Sequence, residues 1–451
     1  MKYFVTTHSH NFFLVVFLVL VGFKSSAQET GISPYSRIGL GDLNFRHSPA
    51  FQSLGGSSVS LSDFNLLNLS NPASFSSLTP HMPVFEIDGA TQFLKLTAGS
   101  TSANLATTSF TRMSIGIPVN EKLGLAFGVL PYTTTGYDIT TINSEPSIGD
   151  VTYKFKGKGG INKLFLGGGY DVYSTDSINL SVGLSAGFLF GNIEKSRRVE
   201  FPDDNSALNS LLSQQTGYNG FSFELGLLYS QYVTEKFSYS LGASFTTGVS
   251  LNANRTDFFG TYTNFSSVEV VRDTLSYSDG NEGTVEIPSL LRLGGSIKLN
   301  GNFEISAQYQ SQDWSKYSEV FNNSSVSDTL SSSSFYSLGM RYRPTDVFST
   351  ANIFERIEYR AGIRYGNSSL QFNNTQLTEF GTSFGLGIPL RKSATSKNEF
   401  RSLSMLNVGV EFGNRGTTDN GLIKENFTTI YFGISIMPQV QNRWFVKRKF
   451  K

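Results

Sequence analysis

Ile178-Asn179-Leu180-Ser181-Val182-Gly183-Leu184-Ser185-Ala186-Gly187-Phe188 alternates, residue by residue, between an apolar side chain and Asn, Ser or Gly. A period of two puts one set on each face of a β-strand. These 11 residues exceed the usual length of about 5–6 for a soluble strand and match the roughly 9–11 that cross a bilayer at a tilt. The same alternation returns in Phe237, Tyr239, Leu241, Ala243 and Phe245, and in Ile357, Tyr359, Ala361, Ile363 and Tyr365. Further runs occupy 221–229, 291–299, 303–309, 336–342, 406–412 and 432–436. The polar face, built of Ser, Gly, Asn, Arg and Glu, suits a hydrated lumen, and the other face suits lipid. Backbone in hydrocarbon must be fully paired, so such strands have to close into a barrel.

Composition agrees and excludes alternatives. The 451 residues hold 44 Gly, 39 Phe, 20 Tyr and 2 Trp, against 16% charged residues. The absence of Cys removes thiol catalysis, iron–sulfur clusters and cysteine zinc sites. Four His, two of them in the first ten residues, leave little for a histidine metal site, so neither metal nor cofactor is expected. A net charge of +1 gives no attraction to nucleic acid. Lys2 followed by the 12-residue apolar run 12–23 and Ser25-Ser26-Ala27 reads as an export signal over 1–27. Gly183-Leu184-Ser185-Ala186-Gly187 fits the G-x-S-x-G pattern of hydrolases, but it lies inside an alternating strand instead of a strand–turn–helix elbow, and no enzyme activity is expected.

Short polar turns at Asn120-Glu121, Thr175-Asp176, Thr234-Glu235 and Asn300-Gly301, with longer ones at 344–352 and 391–401, separate seven hairpins. The fold expected is therefore all-β, a transmembrane antiparallel barrel of 14 strands over 84–437. Strands are expected at 84–97, 104–118, 122–140, 150–173, 178–200, 217–233, 237–258, 283–299, 302–320, 330–343, 353–372, 376–390, 402–414 and 424–437. Short turns face the periplasm in such barrels. Residues 28–83 lack alternation and are the natural plug of the lumen, and 438–451 form a basic periplasmic tail.

The chain resembles the FadL/TodX family of outer-membrane transporters for long-chain fatty acids and other hydrophobic compounds. The resemblance is carried by Ser33-Pro34-Tyr35-Ser36-Arg37-Ile38-Gly39-Leu40-Gly41, Leu54-Gly55-Gly56-Ser57-Ser58-Val59 and Asn71-Pro72-Ala73, then by Glu286-Ile287-Pro288-Ser289-Leu290-Leu291-Arg292 and Ala307-Gln308-Tyr309-Gln310-Ser311-Gln312-Asp313-Trp314-Ser315. It implies that the N-terminal segment is a hatch inside the barrel, with Asn-Pro-Ala in it. It also implies passive uptake of a hydrophobic ligand that leaves sideways through a gap in the wall. FadL-like barrels also serve in type IX secretion, so a non-transporting barrel acting as partner or plug of a secretion machinery is the alternative. The chain departs from the family in running on past its last strand from Gln441 to Lys451.

Candidate functional residues follow. Asn71, Pro72 and Ala73 read as a hatch turn and as a gating element. Gly157, Gly159, Gly160, Pro131 and Pro288 are candidates for a wall gap or for ordinary bulges. Leu208, Leu211 and Leu212 fall on one face of an expected helix over 203–212, a candidate capture site in an outer loop or a helix packed on the lip. Arg292, Lys298, Arg341, Arg343, Arg360 and Arg364 outnumber Glu224, Glu304, Glu358 and Glu411 on the lumen face. Of these, Arg292, Arg341, Arg360 and Arg364 are candidate contacts for a carboxylate head group, or members of ion pairs that brace hatch and wall. Expected partners are a hydrophobic small molecule, outer-membrane lipid and a periplasmic or secretion-system protein.

Overall fold

The computed structural model describes residues 31–437 apart from 45–46, 81, 147–148, 203–206, 266–267, 322–323, 327–329, 346–350, 373–374 and 391–403. The expected signal peptide (1–27) and basic tail (438–451) lie outside the described residues. The wall is built from β1 (Val84–Ala98), β2 (Thr101–Pro118), β3 (Leu123–Glu145), β4 (Gly149–Ser174), β5 (Ile178–Glu200) and β6 (Asn209–Thr234). It continues with β7 (Phe237–Thr246, resumed as Val249–Phe265), β8 (Val268–Ile287, resumed as Leu290–Leu299) and β9 (Phe303–Asp313, resumed as Ser318–Phe321). β10 (Ser332–Tyr342), β11 (Glu358–Phe372), β12 (Thr375–Pro389), β13 (Met405–Arg415) and β14 (Lys424–Ile436) complete it. Neighbours pair antiparallel throughout, and β14 closes on β1 from Lys424↔Thr97 to Ile436↔Phe85. The result is a closed barrel of 14 strands.

Alternation decides which side chain meets which solvent. Leu164, Leu166, Leu184, Phe221, Phe223, Leu225, Leu293, Leu338, Ile363 and Phe384 all point outward and are exposed, an apolar belt. On the lumen side Ser185, Glu224, Arg292, Ser306, Arg360, Ser383 and Glu411 are buried. β3, β4, β5 and β6 run 23, 26, 23 and 26 residues, more than twice the roughly 9–11 a bilayer needs. Their far ends therefore project as strand hairpins, and no outer helix forms at 207–212. Leu211 and Leu212 belong to β6, in register with Gly260 and Phe259, because cross-strand pairing overrides an amphipathic helical pattern too short to bury its own face.

Strands 7 and 8 are each broken, where single strands are expected. The breaks fall at Thr247-Gly248 and Pro288-Ser289, level with the short 3-10 turn Trp314–Lys316 in β9. Pro288 has no N–H for the ladder. The buried face changes parity across both breaks, from Ser244 and Thr246 to Val249 and Leu251, and from Leu290 and Arg292 to Ile287 and Val285. Beyond the breaks these side chains join Ile161, Leu189, Ile193, Tyr218 and Trp314 in one apolar cluster that roofs the lumen.

The segment before β1 lies inside the barrel. Asn71 caps the 3-10 helix Pro72–Ser77, accepting from Ala73 N and donating to Val59 O (2.8 Å) and to Leu227 O on β6 (3.0 Å). Gly124, Gly169, Gly183 and Gly226 stand opposite one another on β3 to β6, a smooth track for this helix. A Cβ on Gly183 would sit 2.3 Å from Ala73 N, and one on Gly124 would sit 1.8 Å from Phe75 O. Around the wall, Gly242 and Gly294 take Val59, Gly339 and Gly362 take Leu54, and Gly385 and Gly409 take Ser53. The glycines of the lumen face thus form a girdle that lets plug backbone touch wall backbone.

Candidate functional site: the lumen cavity and the wall opening

β2 and β3 pair only from Met113↔Val129 to Pro118↔Gly124. β3 continues for another 16 residues, to Glu145, fully paired on its β4 side. The wall therefore parts between β2 and β3 above Met113 and Val129. At the opening, Pro131 lies at a bulge in the β3–β4 ladder, and Gly159 and Gly160 on β4, in register with Thr135 and Thr134, have φ of 112° and 157°.

A strap from the plug occupies the edge of β3 that β2 leaves. Asp42 and Leu43 pair antiparallel with Thr134 and Thr133, and Asn44 N donates to Tyr132 O at 3.0 Å. Ser36 Oγ bonds Gly136 O (3.2 Å) and accepts from Gly136 N (3.0 Å). Gly41, with φ of 94°, is pressed so close to Thr134 that a Cβ would lie 2.4 Å from its carbonyl oxygen. On the opposite wall the strap is held by Arg415, which bonds Asp42 at 2.9 Å, Glu425 at 2.7 Å and Ser33 Oγ at 2.8 Å. The Tyr35 hydroxyl donates to Ile423 O at 2.6 Å.

Between plug, strap and roof lies a cavity of about 790 Å³. It is bounded by both sides of the opening, with Thr107, Ser109, Phe110 and Thr111 on β2 and Pro131 to Thr134 on β3. Leu40, Leu94, Leu290, Trp314, Phe335 and Phe427 supply apolar surface, and Gln92, Gln310, Gln312 and Ser333 supply uncharged polar groups.

The candidate head-group arginines are placed on the lumen side, but each is in an ion pair. Arg292 meets Glu224 at 3.2 Å. Arg364 meets Glu379 at 2.6 Å and Glu411 at 2.7 Å. Arg360 meets Glu358 at 2.6 Å and Asn407 at 2.8 Å. Arg341 joins Glu304 and Glu358 of the wall to Asp63 of the plug. Arg292 and Arg364 line the cavity, whereas Arg341 and Arg360 are not among its lining residues. The surplus of lumen cations expected from the strand pattern is cancelled by acids that the pattern did not assign to the lumen. These are Asp42 and Asp63 on the plug and Glu86, Asp88, Glu379 and Glu425 on the wall; Glu86 and Asp88 flank Arg112 at 2.6 and 2.8 Å. The bracing role is thus the one the geometry supports, with Gln52 of the plug also donating to Glu411 at 2.8 Å.

Of the other candidates, Asn71, Pro72 and Ala73 are fully buried in the plug and form the turn that Asn-Pro suggests. Pro131, Gly159 and Gly160 come together at the opening, while Pro288 marks the break in β8 on another part of the wall. Leu208 is 49% exposed, and Phe259, Val271, Leu275 and Tyr277 on β7 and β8 are exposed as well. Ser185 lies within β5 and faces Glu224 across the ladder. The sequence singled out the segment that holds the strap, through residues 33–41, but not its pairing with β3 or its tie to Arg415 and Glu425.

A closed antiparallel barrel with an outward apolar belt, a chain segment inside its lumen and a parted wall is a transmembrane β-barrel of the FadL/TodX fold. The CymD monoaromatic hydrocarbon channel has this fold, at 13% identity and a TM-score of 0.52 over 88% of this chain and 99% of that one. The Ralstonia pickettii toluene transporter TbuX gives 14% identity and 0.53 over 87% and 98%. The P. putida toluene transporter TodX gives 14% and 0.52 over 87% and 98%. The chain belongs to the BamG family, which it matches over residues 10–451. No curated protein matches it.

Proposed function

We propose that this barrel takes up small hydrophobic molecules through the outer membrane. The observation that carries the reading is the 790 Å³ cavity bounded by both sides of the opening between β2 and β3. A cavity of this size suits one small ligand. A sideways exit spares an apolar molecule the crossing of the polar surface layer and delivers it into lipid. In this reading the short turns face the periplasm, exposed Leu208, Phe259 and Tyr277 at the far rim meet the ligand first, and the strap at 33–44 is the part that moves. The strap holds β3 by a two-residue ladder and a few polar contacts, whereas the Asn71-Pro72-Ala73 turn is locked in the glycine track. The names of CymD, TbuX and TodX concern aromatic hydrocarbons, which places toluene beside long-chain fatty acids among the cargoes to test.

Uptake of labelled toluene and of a labelled long-chain fatty acid is to be compared in cells with and without the gene. Faster entry of either with the gene present is expected. Equal entry of both overturns the reading and leaves the barrel as a partner or plug of a secretion machinery.

A further inference from the structure

We propose that the cavity selects uncharged cargo and rejects carboxylates; the inference rests on the uptake reading and specifies its substrate class. Six charged side chains line the cavity, Arg292, Arg364, Arg415, Asp42, Glu379 and Glu425. Each arginine is already engaged by acids, Arg364 by Glu379 and Glu411, and Arg415 by Asp42 and Glu425. Around these two cations stand four carboxylates, and Glu425 and Glu411 take further hydrogen bonds from Ser33 (2.6 Å) and Tyr431 (2.6 Å).

An arriving carboxylate has two courses, and both are unfavourable. It can displace a resident acid from its arginine, which leaves a buried carboxylate unpaired. Or it can lie among the resident acids with no cation of its own, where like charges repel and desolvation is uncompensated. A hydroxyl, ester or carbonyl meets neither cost. Gln92, Gln310, Gln312, Thr107, Ser109 and Ser333 line the same space and can donate to or accept from such a group. The surplus of acid over base beside Arg364 and Arg415 is therefore the specificity filter, and Glu379 and Glu425 are its specificity-determining residues.

The test uses the full-length protein in lipid nanodiscs, with N-phenyl-1-naphthylamine as a neutral fluorescent occupant. 1-Dodecanol and dodecanoate at pH 8 compete for the site. Dodecanol is expected to displace the dye at a concentration at least about tenfold lower, and equal potency overturns the inference while leaving uptake standing. In the double variant Glu379→Gln, Glu425→Gln, the ratio of the two potencies is expected to move about tenfold toward the carboxylate, as an arginine loses a competing acid. An unmoved ratio in a variant that still binds the dye and still shows heat-modifiable migration also overturns it. If the wild-type protein binds dye, alcohol and carboxylate all negligibly, the uptake reading itself fails.

Discussion

Gly183→Ala adds a single methyl group, and its effect is set by the plug instead of by the strand. The new Cβ would stand 2.3 Å from both Ala73 N and Pro72 C, where ordinary contact begins at 3.4 Å. The plug backbone must therefore withdraw by about 1 Å, a small overpacking of the kind that costs about 1–3 kcal/mol. It has no free direction in which to go. The flanking Gly169 and Gly226 would put a Cβ 2.6 Å from Pro72 O and 2.2 Å from Asn71 Oδ1, and Asn71 is tied to Leu227 O at 3.0 Å. The expected outcome is an unseated 3-10 helix at Pro72–Ser77 in a barrel whose lipid face is unchanged. Conductance of the purified protein in planar bilayers should rise, and limited proteolysis should newly cut between 60 and 80. Gly295→Ala is the control. Its Cβ meets only Leu241 Cδ2 at 3.4 Å and Ser240 O at 3.7 Å, and replacing a strand glycine there should be neutral or stabilising by roughly 0.5–1 kcal/mol. If the two variants conduct alike and resist protease alike, the glycine track does not seat the plug.

Arg341→Met leaves Asp63, Glu304 and Glu358 without their shared cation, and the loss of one partner from a buried charge cluster costs about 3–5 kcal/mol. The temperature at which the folded barrel converts to the unfolded band in gel electrophoresis should fall, and an unchanged transition would refute the bracing role. Leu166→Arg puts a cation on the lipid belt, where Leu166 is 61% exposed; the cost of about 2–4 kcal/mol near mid-bilayer should lower the amount assembled in membranes, while Leu166→Ala should not. Ser109→Trp fills the β2 side of the wall opening and should slow uptake of whichever labelled cargo the wild type carries, with barrel stability unaffected; full uptake would place the exit elsewhere. Arg415→Gln removes the cation that ties strap residues Asp42 and Ser33 to the wall, and a cysteine at Leu43 should then react faster with a water-soluble maleimide than in the otherwise native protein.

Much of the wall is legible in the sequence. The alternation in 178–188 and its repeats has a physical cause that acts strand by strand, because each side chain must suit lipid or lumen. Thirteen of the fourteen closures follow from hairpins whose turns are local, and β5, expected at 178–200, is Ile178–Glu200. The errors lie where a strand answers to something distant. The breaks at Thr247-Gly248 and Pro288-Ser289 serve the roof cluster, whose members Ile161, Leu189 and Trp314 are far away in sequence. Leu208, Leu211 and Leu212 read as helical in isolation, and Leu211 and Leu212 became strand because Phe259 and Gly260 were available to pair.

The sequence by itself determined that the chain is a barrel of 14 strands, because periodicity and strand length are properties of consecutive residues. Only the tertiary structure decided what the lumen does with its charges and where the wall opens. Arg415 and Asp42 are 373 residues apart, and Arg341 and Asp63 are 278 apart. Coulombic pairing depends on distance in space, so cations that look available along a strand are spoken for once the plug is threaded through the lumen. The opening also shows only in three dimensions: on the edge that β2 leaves above Val129, β3 is met at Thr133 and Thr134 by the strap, folded back from far earlier in the chain.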